Sequence, residues 1–316
     1  MANILKGIDK IVTSSGTEVN LNNIPSGPTA TGGDETEITD GNGQNWKVHT
    51  FNSSGQLAVS NGQLELEYIV VAGGGGGYSY FGGAGGGGYR SSVAGESSGG
   101  SAGDNNPEAP LTVTSGTYQV IVGGGGTGAN HGNTSYAGGD SSFDSIIAIG
   151  GGSPYDSNAG HSTSIRDGGS GAGGEYSPAH GPGSGTAGQG HGGGSGGYSG
   201  SSWYTGGGGG GAGGAGDSVG GQQYGGRGGD GRSSSITGST VNYAGGGGGG
   251  CWGRHSTGYL GTARSTSAVP QTNLAYGSDV PNAPANQGGG GAGGTSAGSA
   301  VIGSGGSGVV IVRYKI

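Results

Sequence analysis

The side chains that could do covalent or metal chemistry are few, and their spacing is poor. Six histidines, at 49, 131, 161, 180, 191 and 255, never recur at the i, i+4 spacing that presents two imidazoles from one helix. His180 and His191 could share a metal only across neighbouring loops, and solvated surface roles suit them better. Cys251 is the single cysteine, so neither an intrachain disulfide nor a cysteine-based zinc cluster can form. Carboxylates are scattered, with no pair that the sequence places together for acid–base work. Gly193-Gly194-Ser195-Gly196-Gly197 spells a nucleophile elbow, but no strand precedes it and no helix follows to strain the serine. Matches to G-x-G-x-x-G recur through sheer glycine density, and no lysine stands in a G-K-[ST] context. Gly138-Gly139-Asp140 is a faint, unrepeated version of a calcium-binding turn. The expectation is a protein that is not an enzyme and has no metal or cofactor.

The chain does carry aromatic side chains in otherwise bare polar segments. Tyr and Trp offer large contact area for little rotamer entropy, and Ser, Gly and Asn around them add adaptable hydrogen bonding, as in antibody recognition loops. Aromatic faces also suit sugars. On this reasoning Tyr198, Trp203, Tyr204, Trp252, Arg254, His255 and Tyr259 are the expected receptor-binding residues, with Tyr78, Tyr80 and Phe81 less favoured. Tyr224 and Tyr276 belong to the same class of segment. Roughly half of the tyrosines are expected to pack as lids instead of touching a ligand.

Something must hold these residues in place, and the material available is glycine, 91 of 316 residues. Runs occur at 73–77, 85–88, 123–126, 206–211, 245–250 and 288–291. A flexible linker is the simplest reading of such runs. Against it, apolar strand-like segments abut them directly, as in Tyr68-Ile69-Val70-Val71-Ala72 before Gly73, and a linker gains nothing from that junction. The ordered alternative is a left-handed extended helix of three residues per turn, rising ~3.1 Å per residue. It has no internal hydrogen bonds, so its N–H and C=O groups must find partners in neighbouring rods, which the missing Cβ atoms let approach.

Period-2 alternation marks a β frame. Trp46, Val48 and Thr50, then Leu57 and Val59, then Leu64, Leu66, Tyr68 and Val70 predict three antiparallel strands with one buried face. Leu111 and Val113, a Ser115-Gly116 turn, and Tyr118, Val120 and Val122 predict a second hairpin. Phe143 with 146–149 and a final run at 309–316 complete the set. The fold class expected is all-β with polyglycine-II: a small antiparallel β-sandwich frame with a packed bundle of left-handed glycine helices inserted between its strands. The domain reading is an attachment or oligomerisation segment at 1–44 and a glycine-rich domain at 45–316. Within the latter, the frame takes 45–149 and 306–316, and rods and exposed loops take 73–109 and 150–305. Ile4, Leu5, Ile8, Ile11 and Val12 have helical spacing over two turns.

Composition narrows the partners. Only 28% of residues are hydrophobic and 9% charged, so a side-chain core can fill just part of the molecule. The net charge of −8 and the lack of a basic patch argue against nucleic acid. No window approaches 18 apolar residues, so no membrane-spanning helix is expected. Residues 1–12 carry Lys6, Asp9 and Lys10 and do not read as a secretory signal. An extracellular-looking composition without an export signal fits a virion component made in the cytoplasm and released by lysis.

The stretches Trp46-Lys-Val-His-Thr-Phe-Asn-Ser-Ser-Gly55, Glu67-Tyr-Ile-Val-Val-Ala-Gly-Gly-Gly-Gly-Gly77, Gly116-Thr-Tyr-Gln-Val-Ile-Val-Gly-Gly-Gly-Gly126, Gly138-Gly-Asp-Ser-Ser-Phe143 and Gly308-Val-Val-Ile-Val-Arg-Tyr314 resemble the glycine-rich domain of bacteriophage tail-fibre and receptor-binding proteins. The likeness covers 46–316, and such domains also occur in bacterial surface proteins. The glycine portion is similar to the polyglycine-II lattice of T-even-type tail-fibre adhesins and, more distantly, to the glycine-rich extracellular region of certain receptor tyrosine kinases. The resemblance implies a tail-fibre or tail-tip adhesin on the virion, with distal loops touching a bacterial surface receptor, either glycan or outer-membrane protein. It implies no catalytic residues. Residues 1–44 match no part of that family and are left to join other tail proteins or further copies of the chain. The alternatives are a structural filament subunit, in which glycine surfaces pack between copies, and an ice-binding protein, which the bulky Tyr, Trp and Arg side chains count against.

Overall fold

The computed structural model describes residues 10–12, 18–20, 27–79, 82–100, 106–130, 133–154, 165–176, 180–199, 203–219, 224–253, 279–294 and 302–316. The chain is all-β, with no α-helix among the described residues. Strands β1 (Lys10–Val12) and β2 (Glu18–Asn20) pair with each other. Helical spacing is thus not realised at Ile11 and Val12, while Ile4, Leu5 and Ile8 lie outside the described residues. The frame is one nine-stranded sheet made of β3 (Thr29–Thr31), β4 (Asp34–Thr39), β5 (Asn45–Phe51), β6 (Gly55–Val71), β7 (Tyr89–Ser91), β8 (Leu111–Ile121), β9 (Ser141–Phe143), β10 (Ile146–Ala148) and β16 (Val309–Lys315). It therefore takes in residues 29–39, ahead of the first alternating segment read from the sequence.

Two expected hairpins are a single long pair. Leu57, Val59 and Leu64 to Val70 lie on one 17-residue strand, β6, and 111–121 is one strand, β8. What reads as two turns is the two sides of one bulge, where the register shifts between Val59, opposite Gly116, and Gln63, opposite Thr114. Asn61 (φ 61°) and Gly62 (φ 134°) take up the extra backbone in the left-handed region, which only such residues adopt cheaply. The bulge lets β6 bend: β8 follows it on both sides, as far as Leu66, while β3 pairs only with the limb before the bulge and β7 and β16 only with the end of the limb after it.

From Tyr68 onward β6 is buried on both faces, not one, and so is β16 up to Tyr314. Val70, Val310, Val312 and Tyr314 join Phe51, Leu57, Leu66, Val120 and Phe143 inside the curl. Ile69, Val71, Val309 and Ile311 face the other way, onto Trp46, Val48, Tyr89, Ile236, Tyr243 and the alanines Ala212 and Ala244 of the glycine runs. The second core is thus where frame meets glycine.

The runs leave the frame without a loop: Val71 continues into Ala72 and Gly73, Gly88 into Tyr89, and Gly308 into Val309. Hydrogen bonding along 72–77 repeats every third residue. Ala72 and Gly75 donate to Gly88 and Gly85, Gly73 and Gly76 to Gly139 and Tyr136, and Gly74 and Gly77 to Gly306 and Gly303, at 2.9–3.0 Å. Its carbonyls accept from Gly126 and Ala129, from Gly151, and from Gly291. Three donor directions, each returning after three residues, are what a three-residue turn requires.

The same holds for 206–211, where six N–H groups and six carbonyls are all bonded to other segments, none within the run. Tracing these bonds arranges the runs in three tiers. The middle holds 123–129, 72–77, 82–88, 206–211 and 214–217; one flank holds 136–139, 149–152, 170–174 and 191–194; the other holds 303–306, 288–294, 244–250 and 226–229. A Cβ on Gly73, Gly74 or Gly209 would lie 2.0 Å from a neighbouring carbonyl oxygen. None of these three has positive φ, so glycine is needed for close approach and not for an unusual backbone.

Candidate functional site: an aromatic cap on the glycine bundle

Strands β13 (Arg232–Ser234) and β14 (Val241–Tyr243) pair as a separate hairpin. At the end away from the frame, three short strands close the bundle: β11 (Gly197–Ser199), β12 (Trp203–Thr205) and β15 (Cys251–Gly253). They grow out of the rods. Thr205 runs straight into Gly206, Cys251 follows Gly250, and the pairing carries on below them as the Gly206 N–H to Gly250 carbonyl bond of 2.8 Å. Thr205 and Cys251 are fully buried, and the Thr205 hydroxyl donates to the Gly197 carbonyl at 3.0 Å. The cap is therefore fixed by the lattice beneath it.

The register aligns Tyr198, Tyr204 and Trp252 in one row across the three strands. Residues directly opposite in an antiparallel sheet are the pairs that interact. The Tyr198 and Tyr204 rings stack with centroids 4.9 Å apart and planes 30° apart. Tyr176 meets Tyr204 edge-on at 4.6 Å and 71°. Tyr176 also packs on Tyr78 and Ala129, both buried. A chain of rings thus runs from the buried Tyr78 to Tyr198, which is 48% exposed.

Of the residues expected to touch a receptor, Tyr198, Tyr204 and Trp252 share a row. Trp203 is one position off it, opposite Ser199 and Gly253. Arg254, His255 and Tyr259 lie outside the described residues, as do Tyr80, Phe81 and Tyr276. The less favoured Tyr78 is fully buried: a bridge to Ala129 holds its backbone against the neighbouring rod, so it supports the cap and does not offer a contact surface. Tyr224 is 51% exposed. Tyr176 was missed, and its position held the signal: it stands just past the glycine run at 168–174, as Tyr78 stands just past 73–77.

Among the described residues, no group of three His, Cys, Asp or Glu side chains is placed to hold a metal ion. His180 Nδ1 lies 2.8 Å from Oε2 of the buried Glu175, and burial, with Arg166 nearby, pushes the imidazole below its ordinary pKa. Burial likewise lowers His191, with help from Arg232. Ser195 sits within a rod, its N–H bonded to Ser218 Oγ at 2.9 Å.

An all-β frame extended by a hydrogen-bonded glycine bundle, with a row of aromatic residues on its cap, defines a class built around glycine itself. The chain belongs to the glycine-rich domain family, whose pattern matches residues 48–315. No curated protein matches it. No helix among the described residues is long and apolar enough to cross a membrane.

Proposed function

We propose that this chain is a bacteriophage tail-fibre or tail-tip adhesin that holds a bacterial surface receptor, glycan or outer-membrane protein, against the aromatic cap. The observation that carries this reading is the in-register row of Tyr198, Tyr204 and Trp252 on strands continuous with the rods. A half-exposed ring backed by stacked rings is already ordered before binding, so little rotamer entropy is lost when a ligand covers it. Residues placed at the far end of a stiff support are where recognition resides. The segment before the frame then faces the particle and joins other tail proteins, and the cap faces the cell. The protein acts outside the producing cell as part of the virion.

Replacing Tyr198, Tyr204 and Trp252 together by alanine tests this. The expected outcome is at least a roughly tenfold loss of binding to host cells, with a thermal midpoint close to that of the parent. Trp203→Ala, off the row, should cost less. Full adsorption by the folded triple variant would remove the cap from the site.

A further inference from the structure

Rods inside the bundle are surrounded on all sides, whereas those at its two lateral rims are not, and the rims differ. Along 214–217 and 226–230, Asp217, Arg227 and Asp230 put charged side chains on the rim, with Arg227 and Asp230 exposed. Along 123–128 and 136–140, the exposed residues are Gly124, Gly125, Thr127, Tyr136, Ala137, Gly139 and Asp140. The N–H groups of Gly124, Gly125 and Thr127 on one rod, and of Ala137 and Asp140 on the next, donate to nothing among the described residues. Gly124 and Thr127 are three residues apart, as are Ala137 and Asp140, so an outward donor recurs every ~9 Å along each rod, which is the lattice's own repeat.

Apolar side chains frame this rim. Ile121 (49% exposed) and Ile147 (46%) flank Ser142 in one row of the sheet, and Tyr136 (58%) opens the second rod.

Gly124 is the informative residue. A Cβ there would meet nothing within 4 Å, and its φ is not positive, so the folded chain alone has no use for glycine at that position. At Gly73, on the adjacent rod, a Cβ would fall 2.0 Å from the Gly124 carbonyl oxygen. A bare rod with outward donors is the glycine counterpart of an exposed edge strand, open to one more backbone.

We propose that this rim is the interface between two copies of the chain, which meet edge to edge about a two-fold axis and continue the glycine lattice from one into the other. The incoming surface must itself be free of side chains, and this same rim is such a surface. Two copies carrying −8 each repel except across a neutral face. The rim's one carboxylate, Asp140, is engaged by the Gly150 N–H at 2.7 Å. Direction is no obstacle, because 72–77 bonds to 136–139 antiparallel and to 126–129 parallel. The charged opposite rim blocks head-to-tail growth, so assembly closes at two and does not run on into a filament.

Sedimentation velocity of the full chain over a concentration series decides the matter. The wild type should dimerise, and Gly124→Trp should be monomeric, or dimerise at least about tenfold more weakly, with an unchanged thermal midpoint. Should Gly124→Trp lower the midpoint, the double variant Ile121→Asp, Ile147→Asp decides alone, a monomer supporting the interface and a dimer overturning it. A wild type that stays monomeric up to about 1 mM, a dimer that persists in all these variants, or open-ended polymers would each overturn the proposal.

Discussion

The frame and the bundle are two answers to one problem, the pairing of backbone polar groups away from water. In the frame, each strand satisfies its amides in a plane and leaves two faces of side chains to make cores, such as Leu66 with Val120 and Val312 on one side and Ile69 with Ile311 on the other. In the bundle, each interior rod, such as 206–211, satisfies its amides in every direction around its axis, and no face is left over. Ordering a residue costs about 1–2 kcal/mol, most for glycine, while a hydrogen bond returns a net ~0.5–1.5 kcal/mol. The bundle therefore has little margin and stands only when its bonds form together. Its rods are tied at one end to a frame that has side-chain burial to draw on, and at the other to the cap.

The comparison breaks most sharply at a central rod. A Cβ at position 209 would lie 2.0 Å from the Ala84 carbonyl oxygen and 2.4 Å from its carbon. In a side-chain core an extra methylene costs about 1–3 kcal/mol because rotamers yield. Here only backbone is available to yield, and it is itself hydrogen-bonded. Gly209→Val should exceed that range and abolish the cooperative melt of the bundle, read by amide exchange over 206–211. Exchange as slow as in the parent would show that the lattice can open locally.

Within the frame the expected losses are those of ordinary cores. Leu66, fully buried, should cost roughly 2–5 kcal/mol when replaced by alanine, measured by denaturant unfolding of the whole chain. If frame and bundle form one cooperative unit, exchange at 206–211 accelerates in step with that loss. If they are separable, the rods stay protected. Glu108→Ala is a milder probe. Its carboxylate accepts from the Tyr68 hydroxyl (3.0 Å), Arg90 Nε (2.9 Å) and Nη2 (2.6 Å), and the Ser98 hydroxyl (3.0 Å), pinning the segment after β7 to the sheet. Partly exposed donors limit the loss to roughly 1–3 kcal/mol, and the bundle should not register it.

The sequence spoke clearly where side chains alternate and where they vanish. The period-2 pattern at 46–51 and the apolar run at 309–316 mark real strands, and the junction of Val71 with Ala72 and Gly73 marks a real transition. The bulge was illegible because Asn61-Gly62 and Ser115-Gly116 have turn chemistry, and only pairing across the sheet reveals that they face one another. The order of rods was illegible for a plainer reason: identical glycines carry no information about which run lies beside which. At the cap, composition singled out Tyr198, Tyr204 and Trp252, but the separation of Trp203 from their row depends on register, which a one-residue slip would reverse.

The smallest effect distinguishes the regions by pH. His49, buried on β5, can only donate from Nδ1 to the Gly32 carbonyl at 2.8 Å, so its neutral form carries the proton there, and Nε2 has no partner among the described groups. Burial holds its pKa below the ordinary value, against the opposing pull of the Gly32 hydrogen bond and of Glu35 and with a smaller push from Lys47 in the same direction as burial; the Tyr314 ring stacks on it. The folded chain thus resists a proton that the unfolded chain accepts near pH 6.5. The contribution of His49 is complete above that pH and is lost as pH falls below it toward the depressed folded value. The thermal midpoint should decline on acidification from about pH 7 to about pH 5, and His49→Gln, which can keep a donor for Gly32 but does not titrate, should flatten that slope. The rods at 206–211 contain no titratable side chain, so their amide protection should follow pH only as far as the frame carries them. A slope unchanged in His49→Gln would show that the sensitivity does not reside at His49.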